Sequence, residues 1–186
     1  MSIPQVKKQS EDKMKEAIQA LGDEFNGIRT GRASPALFEK IRVEYYGQQT
    51  RLNQVATISV PEPRLVVIQP WDRAVLAEIE KAIQKSELSV NPSNDGKVIR
   101  INIPPLTEDR RKELVKHTKG MAENARVAIR NHRRDANEEI KKAQKASEMS
   151  EDEAKKATDE IQKLTDRNIE EVNRLLEAKE KEILEV

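Results

Sequence analysis

The sequence contains no cysteine. Disulfides, thiolate zinc sites and cysteine nucleophiles are therefore excluded. Aromatic residues make up only 3% of the chain. A core must then be built from aliphatic side chains and alanine, which suits close helix–helix contacts better than a thick sandwich of sheets. No apolar run approaches the ~20 residues that a membrane-spanning helix needs. The first residues, MSIPQVKKQSEDKMKE, carry acids and no apolar stretch, unlike a signal or transit peptide. These absences predict a soluble, cytoplasmic protein with no membrane partner. A glycine-rich phosphate loop, an HExxH pair and a nucleophile elbow are also missing. Acids are numerous, but none stands alone in an apolar run as a tuned catalytic acid would. His117 and His132 belong to no acid–histidine constellation. Neither an enzyme nor a metal or other cofactor is expected.

A surplus of charge is lacking too. The formal net charge is +1 although charged residues make up 36% of the chain. The bulk value predicts no polyanion partner, but the distribution does. Between Arg110 and Arg134 stand nine Lys/Arg and only Glu113 and Glu123 against them. A balanced chain with one basic segment points to a local anion-binding face.

Apolar residues follow a helical period in three places. Met14, Ile18, Leu21, Phe25 and Ile28 predict a helix over 5–29. From about 108 to 146 there is one glycine and no proline, and Val115, Thr118, Ala122, Ala125, Ile129, His132, Ala136, Ile140 and Ala143 form a narrow seam. The last helix carries Ala157, Ile161, Leu164, Ile169, Val172, Leu175, Leu176, Ile183 and Leu184. Ser150 and Glu153 match a capping box, with Met149 and Ala154 placed as a hydrophobic staple. Each stripe needs partners, so a three-helix bundle is predicted from residues 1–30 and 106–186.

In residues 31–105 the period changes to two. Ile41, Val43 and Tyr45 alternate with Arg42 and Glu44, and a turn follows at Gly47. Residues 54–60, 65–69 and 98–103 read as further strands. Asp72 to Glu87 reads as a helix that Asp72 can cap. Residues 91–97, NPSNDGK, read as a loop, and Trp71 as a packing residue. The whole is then an α+β fold: a three-helix bundle with a small α+β domain inserted between its first and second helices. The two links run through Thr30, Gly31 and Arg32, and through Pro104, Pro105 and Leu106. Glycine on one side and a proline pair on the other predict a hinge between two arms.

The basic segment has a direction. With Ala125 as the core direction and ~100° per residue, Lys112, Lys119, Arg126, Arg130 and Arg133 fall about 80–140° from the seam. Arg111 lies at the edge of this stripe, and Arg134 points away from the core. Arginine dominates its C-terminal half, and a planar guanidinium suits phosphate. Five phosphate contacts would give a log–log salt slope of roughly −3.5 to −4.5. The bland alternative is a solvated helix face with intrahelical ion pairs. A helical adaptor that binds protein through an exposed apolar stripe is another reading, and it predicts binding that tolerates salt.

Several stretches resemble one family. Ile28-Arg29-Thr30-Gly31-Arg32-Ala33-Ser34-Pro35, Val43-Glu44-Tyr45-Tyr46-Gly47, and Pro104-Pro105-Leu106-Thr107-Glu108 with Arg110-Arg111-Lys112 look like bacterial ribosome recycling factor. So does Arg126-Val127-Ala128 through Arg130-Asn131 to Arg133-Arg134-Asp135-Ala136-Asn137. The resemblance runs end to end in the same order. It implies an L-shaped, tRNA-like monomer that binds the post-termination ribosome. With elongation factor G and GTP hydrolysed by that partner, such a factor splits the ribosome into subunits and is not itself an enzyme. It further implies that Arg29, Arg111, Arg130 and Arg133 contact rRNA of the large subunit, with Arg32 and Arg126 as neighbours. Valine is common in the family where His132 stands here.

Overall fold

The computed structural model describes residues 2–88 and 90–185. Met1 and Val186, the ends of the predicted bundle, lie outside them. In chain order the elements are α1 (Ile3–Asn26), β1 (Arg42–Tyr45), β2 (Gln48–Arg51), β3 (Ala56–Glu62), β4 (Leu65–Pro70), α2 (Leu76–Gln84), β5 (Pro92–Asn94), β6 (Ile99–Asn102), α3 (Glu108–Lys145) and α4 (Glu151–Leu184). The chain divides into two compact units: Met1–Arg29 with Glu108–Glu185, and Thr30–Thr107.

The first unit packs α1, α3 and α4 side by side. Val6, near the start of α1, clusters with Ala136, Ile140 and Ala143 of α3. Met14, Leu21 and Phe25, further along α1, cluster with Ala122, Ala125 and Ile129. The partners on α3 thus run backwards as α1 runs forwards, so these two helices are antiparallel. Each fully buried large side chain, such as Met14, Ile129 or Ile161, contributes roughly 1.5–3 kcal/mol relative to exposure. Between the two clusters lies a polar layer. The buried Ser10 hydroxyl donates to the Val6 carbonyl at 2.9 Å, and Thr165 to the Ile161 carbonyl at 2.8 Å. The Asn168 amide donates to the Leu164 carbonyl at 2.8 Å. Each thereby returns to its own helix, and the Asn168 amide also reaches Met14 Sδ of α1 at 3.6 Å.

Three expectations for the seams change. Leu114, not Val115, is fully buried; by the same projection Leu114 falls within ~20° of the core direction. His132 is only half-buried. Leu184 is exposed, since it sits in the last turn of α4. The predicted cap of α4 is present: Ser150 Oγ accepts from Glu153 N–H at 3.2 Å, and Glu153 Oε2 accepts from Ser150 N–H at 2.8 Å. Met149 and Ala154 are buried together in one cluster.

The second unit has a β1–β2 hairpin and a four-stranded antiparallel sheet in the order β3-β4-β6-β5. Val66 and Ile68 of β4 and Ile99 and Ile101 of β6 face one way and meet Ile79 and Ile83 of α2. Two strands carry no apolar alternation and escape a sequence reading. β2 is made by its turn: Tyr46 and Gly47 both have positive φ, 48° and 78°, the conformation that a two-residue hairpin loop demands. β5 is an edge strand opening on Pro92, a position where proline's missing N–H costs nothing. The loop after it is fixed by Asp95, whose carboxylate accepts from the N–H groups of Lys97 and Val98, both at 2.9 Å. The predicted helix from Asp72 to Glu87 begins as a 3-10 turn at Arg73–Val75 and is α-helical only over Leu76–Gln84. Asp72 does cap that turn, accepting from Ala74 N–H at 2.9 Å. Trp71 does not pack inside: it is 68% exposed, and its indole N–H donates to Thr57 Oγ1 at 2.9 Å.

Candidate nucleic-acid interface

α3 is 38 residues long, about 57 Å at ~1.5 Å per residue. Its core side is small: Thr118, Ala122, Ala125, Ala136 and Ala143 are buried, together with Leu114, Ile129 and Ile140. Small seam residues let α4 approach closely. Long side chains flanking the seam on α3 therefore reach α4, and the basic stripe divides into two kinds of cation.

Lys112 and Lys119 are exposed. Lys112 Nζ lies 3.5 Å from Glu108 Oε1, four residues back on α3, and Lys119 Nζ lies 4.0 Å from Glu180 Oε1 of α4. The Lys112 pair is exposed and contributes about 0–1 kcal/mol, whereas Glu180 Oε1 is a buried acceptor with no hydrogen-bond partner among the described residues. Arg133 Nη1 donates to Gln162 Oε1 of α4 at 3.3 Å. Arg111 is half-buried, and its Nε is a buried donor without a partner among the described residues. Arg29 is exposed and follows α1. Arg134, which projects away from the core, is exposed as well.

Arg126 differs from these. Its side chain is only 19% exposed. Nε and Nη2 both donate to Asn173 Oδ1 of α4, at 2.9 and 2.7 Å, and Nη1 donates to Glu123 Oε2 at 3.0 Å. The other oxygen of Glu123 accepts from Arg130 Nη1 at 3.3 Å. Hydrogen bonding to Arg126, and then to Arg130, holds the Glu123 carboxyl below its ordinary pKa. Glu123 is thus a carboxylate at neutral pH, inserted between two arginines of the stripe.

The sequence reading named the cations but not Gln162 and Asn173, which orient two of them. A signal for them existed. Folding the chain back at the 146–150 turn places Arg133 and Gln162 at similar distances from the turn, and likewise Arg126 and Asn173.

The description Ribosome recycling factor belongs to the family model that matches residues 21–184. A ribosome-recycling factor of Treponema denticola is 63% identical over 183 residues, covering 98% of this chain and 99% of that relative. The chain belongs to the ribosome recycling factor family. A ribosome-recycling factor from Halalkalibacterium halodurans is 56% identical over 177 residues, 95% of this chain and 96% of its own. Among solved structures, a ribosome recycling factor in solution matches with a TM-score of 0.77 at 48% identity, covering 100% of this chain and 99% of that one. A second chain, also 48% identical, matches with a TM-score of 0.65 over 99% of this chain and 100% of its own. It comes from models of the T. thermophilus ribosome recycling factor and the E. coli elongation factor G bound to the E. coli post-termination complex.

Proposed function

We propose that this chain binds the post-termination ribosome and, together with elongation factor G and GTP, splits it into subunits, freeing mRNA and tRNA for new initiation. The observation that carries this reading is the end-to-end identity with ribosome recycling factors, 63% over nearly the full length of both chains. In this reading the chain is a cytoplasmic monomer with no catalytic group of its own, and the partner hydrolyses GTP.

The division of labour follows from the two units. The bundle grips rRNA of the large subunit through Arg29, Arg111, Lys112, Lys119, Arg130 and Arg133. The unit Thr30–Thr107 is the lever on which elongation factor G pushes, hinged at Thr30, Gly31 and Arg32 and at Pro104, Pro105 and Leu106. Gly31 supports a specific role for the links. Its φ is +77°, and a Cβ there would stand 3.3 Å from the Leu106 backbone nitrogen. The two links therefore pass each other closely, in a conformation suited to glycine.

The adaptor reading finds little support on the bundle, where the large exposed apolar residues among those described are Val127 and Leu184. A light-scattering assay of post-termination ribosomes tests the proposal. Splitting is expected with elongation factor G and GTP, and not when either is omitted. Binding without splitting under the full set of components would contradict it.

A further inference from the structure

One carboxylate of α3, Glu123, links two arginines of the stripe, and the RNA-binding reading alone gives it no role. We infer that Glu123 is a built-in counter-charge that RNA must displace from Arg130, and that Arg126 is the bracket holding Glu123 in place and not an RNA contact. The inference rests on the reading of the stripe as the rRNA-binding face.

The geometry separates the two arginines. Arg126 has all three guanidinium nitrogens engaged, two of them by Asn173 on the neighbouring helix, and little exposed surface. To meet a phosphate it would have to give up its tie to α4. Among the described residues Arg130 is bound through Nη1 alone, at 3.3 Å, and its side chain is 41% exposed. Nε and Nη2 form the edge by which a guanidinium takes a phosphate side-on.

Glu123 and Arg130 are seven residues apart, two helical turns, so the pair forms only when both side chains extend along the helix toward each other. The bracket at Arg126 fixes the carboxylate end of this pair. The cluster of Glu123, Arg126 and Arg130 then carries one net positive charge in place of two. A stray polyanion that meets Arg130 alone must compete with a carboxylate already in place. A target that engages Arg130 together with Arg111, Arg133 and the lysines can displace it. Glu123 in this way lowers binding to any RNA that takes up Arg130, by the cost of opening one exposed ion pair.

The test compares two probes over a range of KCl concentrations: polyuridylate and isolated large ribosomal subunits. Glu123→Gln keeps the shape and removes the charge. It is expected to raise polyuridylate affinity about 2–5-fold, the strength of an exposed ion pair, and to steepen the salt slope on that probe by ~0.7. Affinity for large subunits should rise by a comparable factor, with the melting temperature within about 2 °C of the parent. Arg126→Met should lower the melting temperature and leave the salt slope on large subunits unchanged. Unchanged polyuridylate affinity and slope in Glu123→Gln, or a slope flattened by one contact in Arg126→Met, would overturn the inference. Arg130→Ala separates this failure from a wider one. If it weakens subunit binding while Glu123→Gln does nothing, only the counter-charge falls; if it leaves subunit binding intact, the stripe reading falls and the counter-charge with it.

Discussion

In the bundle, Ala122, Ala125, Ala136, Ala143, Ala154 and Ala157 line the seams; in the inserted unit, Val43, Val66, Ile68, Ile79, Ile83, Ile99 and Ile101 fill the core. Both sets exclude water, but they set different distances between elements. Alanine brings helices close, so arginines beside the seam of α3 reach Gln162 and Asn173 on α4. The bundle surface is thereby tied together by polar side chains. Branched residues in the inserted unit hold α2 off the sheet and fill the gap. Its surface carries the exposed aromatics instead: Tyr46, whose hydroxyl donates to Asp72 at 3.0 Å, and Trp71. The same chain has made one unit for presenting fixed charge and another with a thicker apolar centre.

The largest expected effects test whether the two cores are independent. Ile129→Ala in the bundle and Ile99→Ala in the inserted unit each remove a fully buried side chain and should each cost about 2–5 kcal/mol. Hydrogen exchange should show the loss of protection concentrated in the unit that carries the change. Equal loss in both units would mean that they unfold as one body and that the comparison between them is false.

Gly31→Ala comes next. At φ +77°, with a backbone nitrogen 3.3 Å from the new Cβ, it should cost about 1–3 kcal/mol. Urea titration measures the cost, and an unchanged midpoint would show that the link relaxes freely. Ser150→Ala removes the side-chain half of the α4 cap and should cost about 1 kcal/mol, seen as a lower melting temperature assigned to the bundle.

The smallest effect depends on pH. Hydrogen bonds from the Val98 and Lys97 N–H groups, and then from Arg100, hold the Asp95 carboxyl well below the ordinary carboxylate pKa. A carboxyl depressed on folding contributes stability above its unfolded pKa of ~3.9 and loses it as pH falls through the folded value. Asp95→Asn should therefore be less stable than the parent at neutral pH, with the difference shrinking in strong acid. A difference that does not depend on pH would remove the charge from the explanation.

How far the chain could be read follows the same division. The bundle was legible because Met14, Leu21, Phe25, Ala122, Ala125 and Ile129 repeat at helical spacing and the pattern is long. In the inserted unit, β4 and β6 were legible by alternation. β2 was hidden because Gln48, Gln49 and Arg51 are polar and its register is set by the backbone at Tyr46 and Gly47. β5 was hidden because pairing with β6, and no apolar pattern, makes Pro92–Asn94 a strand. Trp71 was misread because its indole N–H found a partner at the surface. Helical projection puts the cations on one side of the seam, yet it treats a helix as if alone. It could not show that Asn173 on a second helix would take up Arg126, or that Glu123 would link two arginines.

The outer cations of α3 either hold RNA or only decorate the bundle. Binding of Arg133→Ala to large ribosomal subunits, measured across KCl concentrations beside its melting temperature, tests this most directly. Weaker binding, a log–log salt slope shallower by ~0.7–0.9 and a melting temperature within about 2 °C of the parent are predicted. Unchanged binding with a large fall in melting temperature would mean that the stripe serves the bundle and not the ribosome.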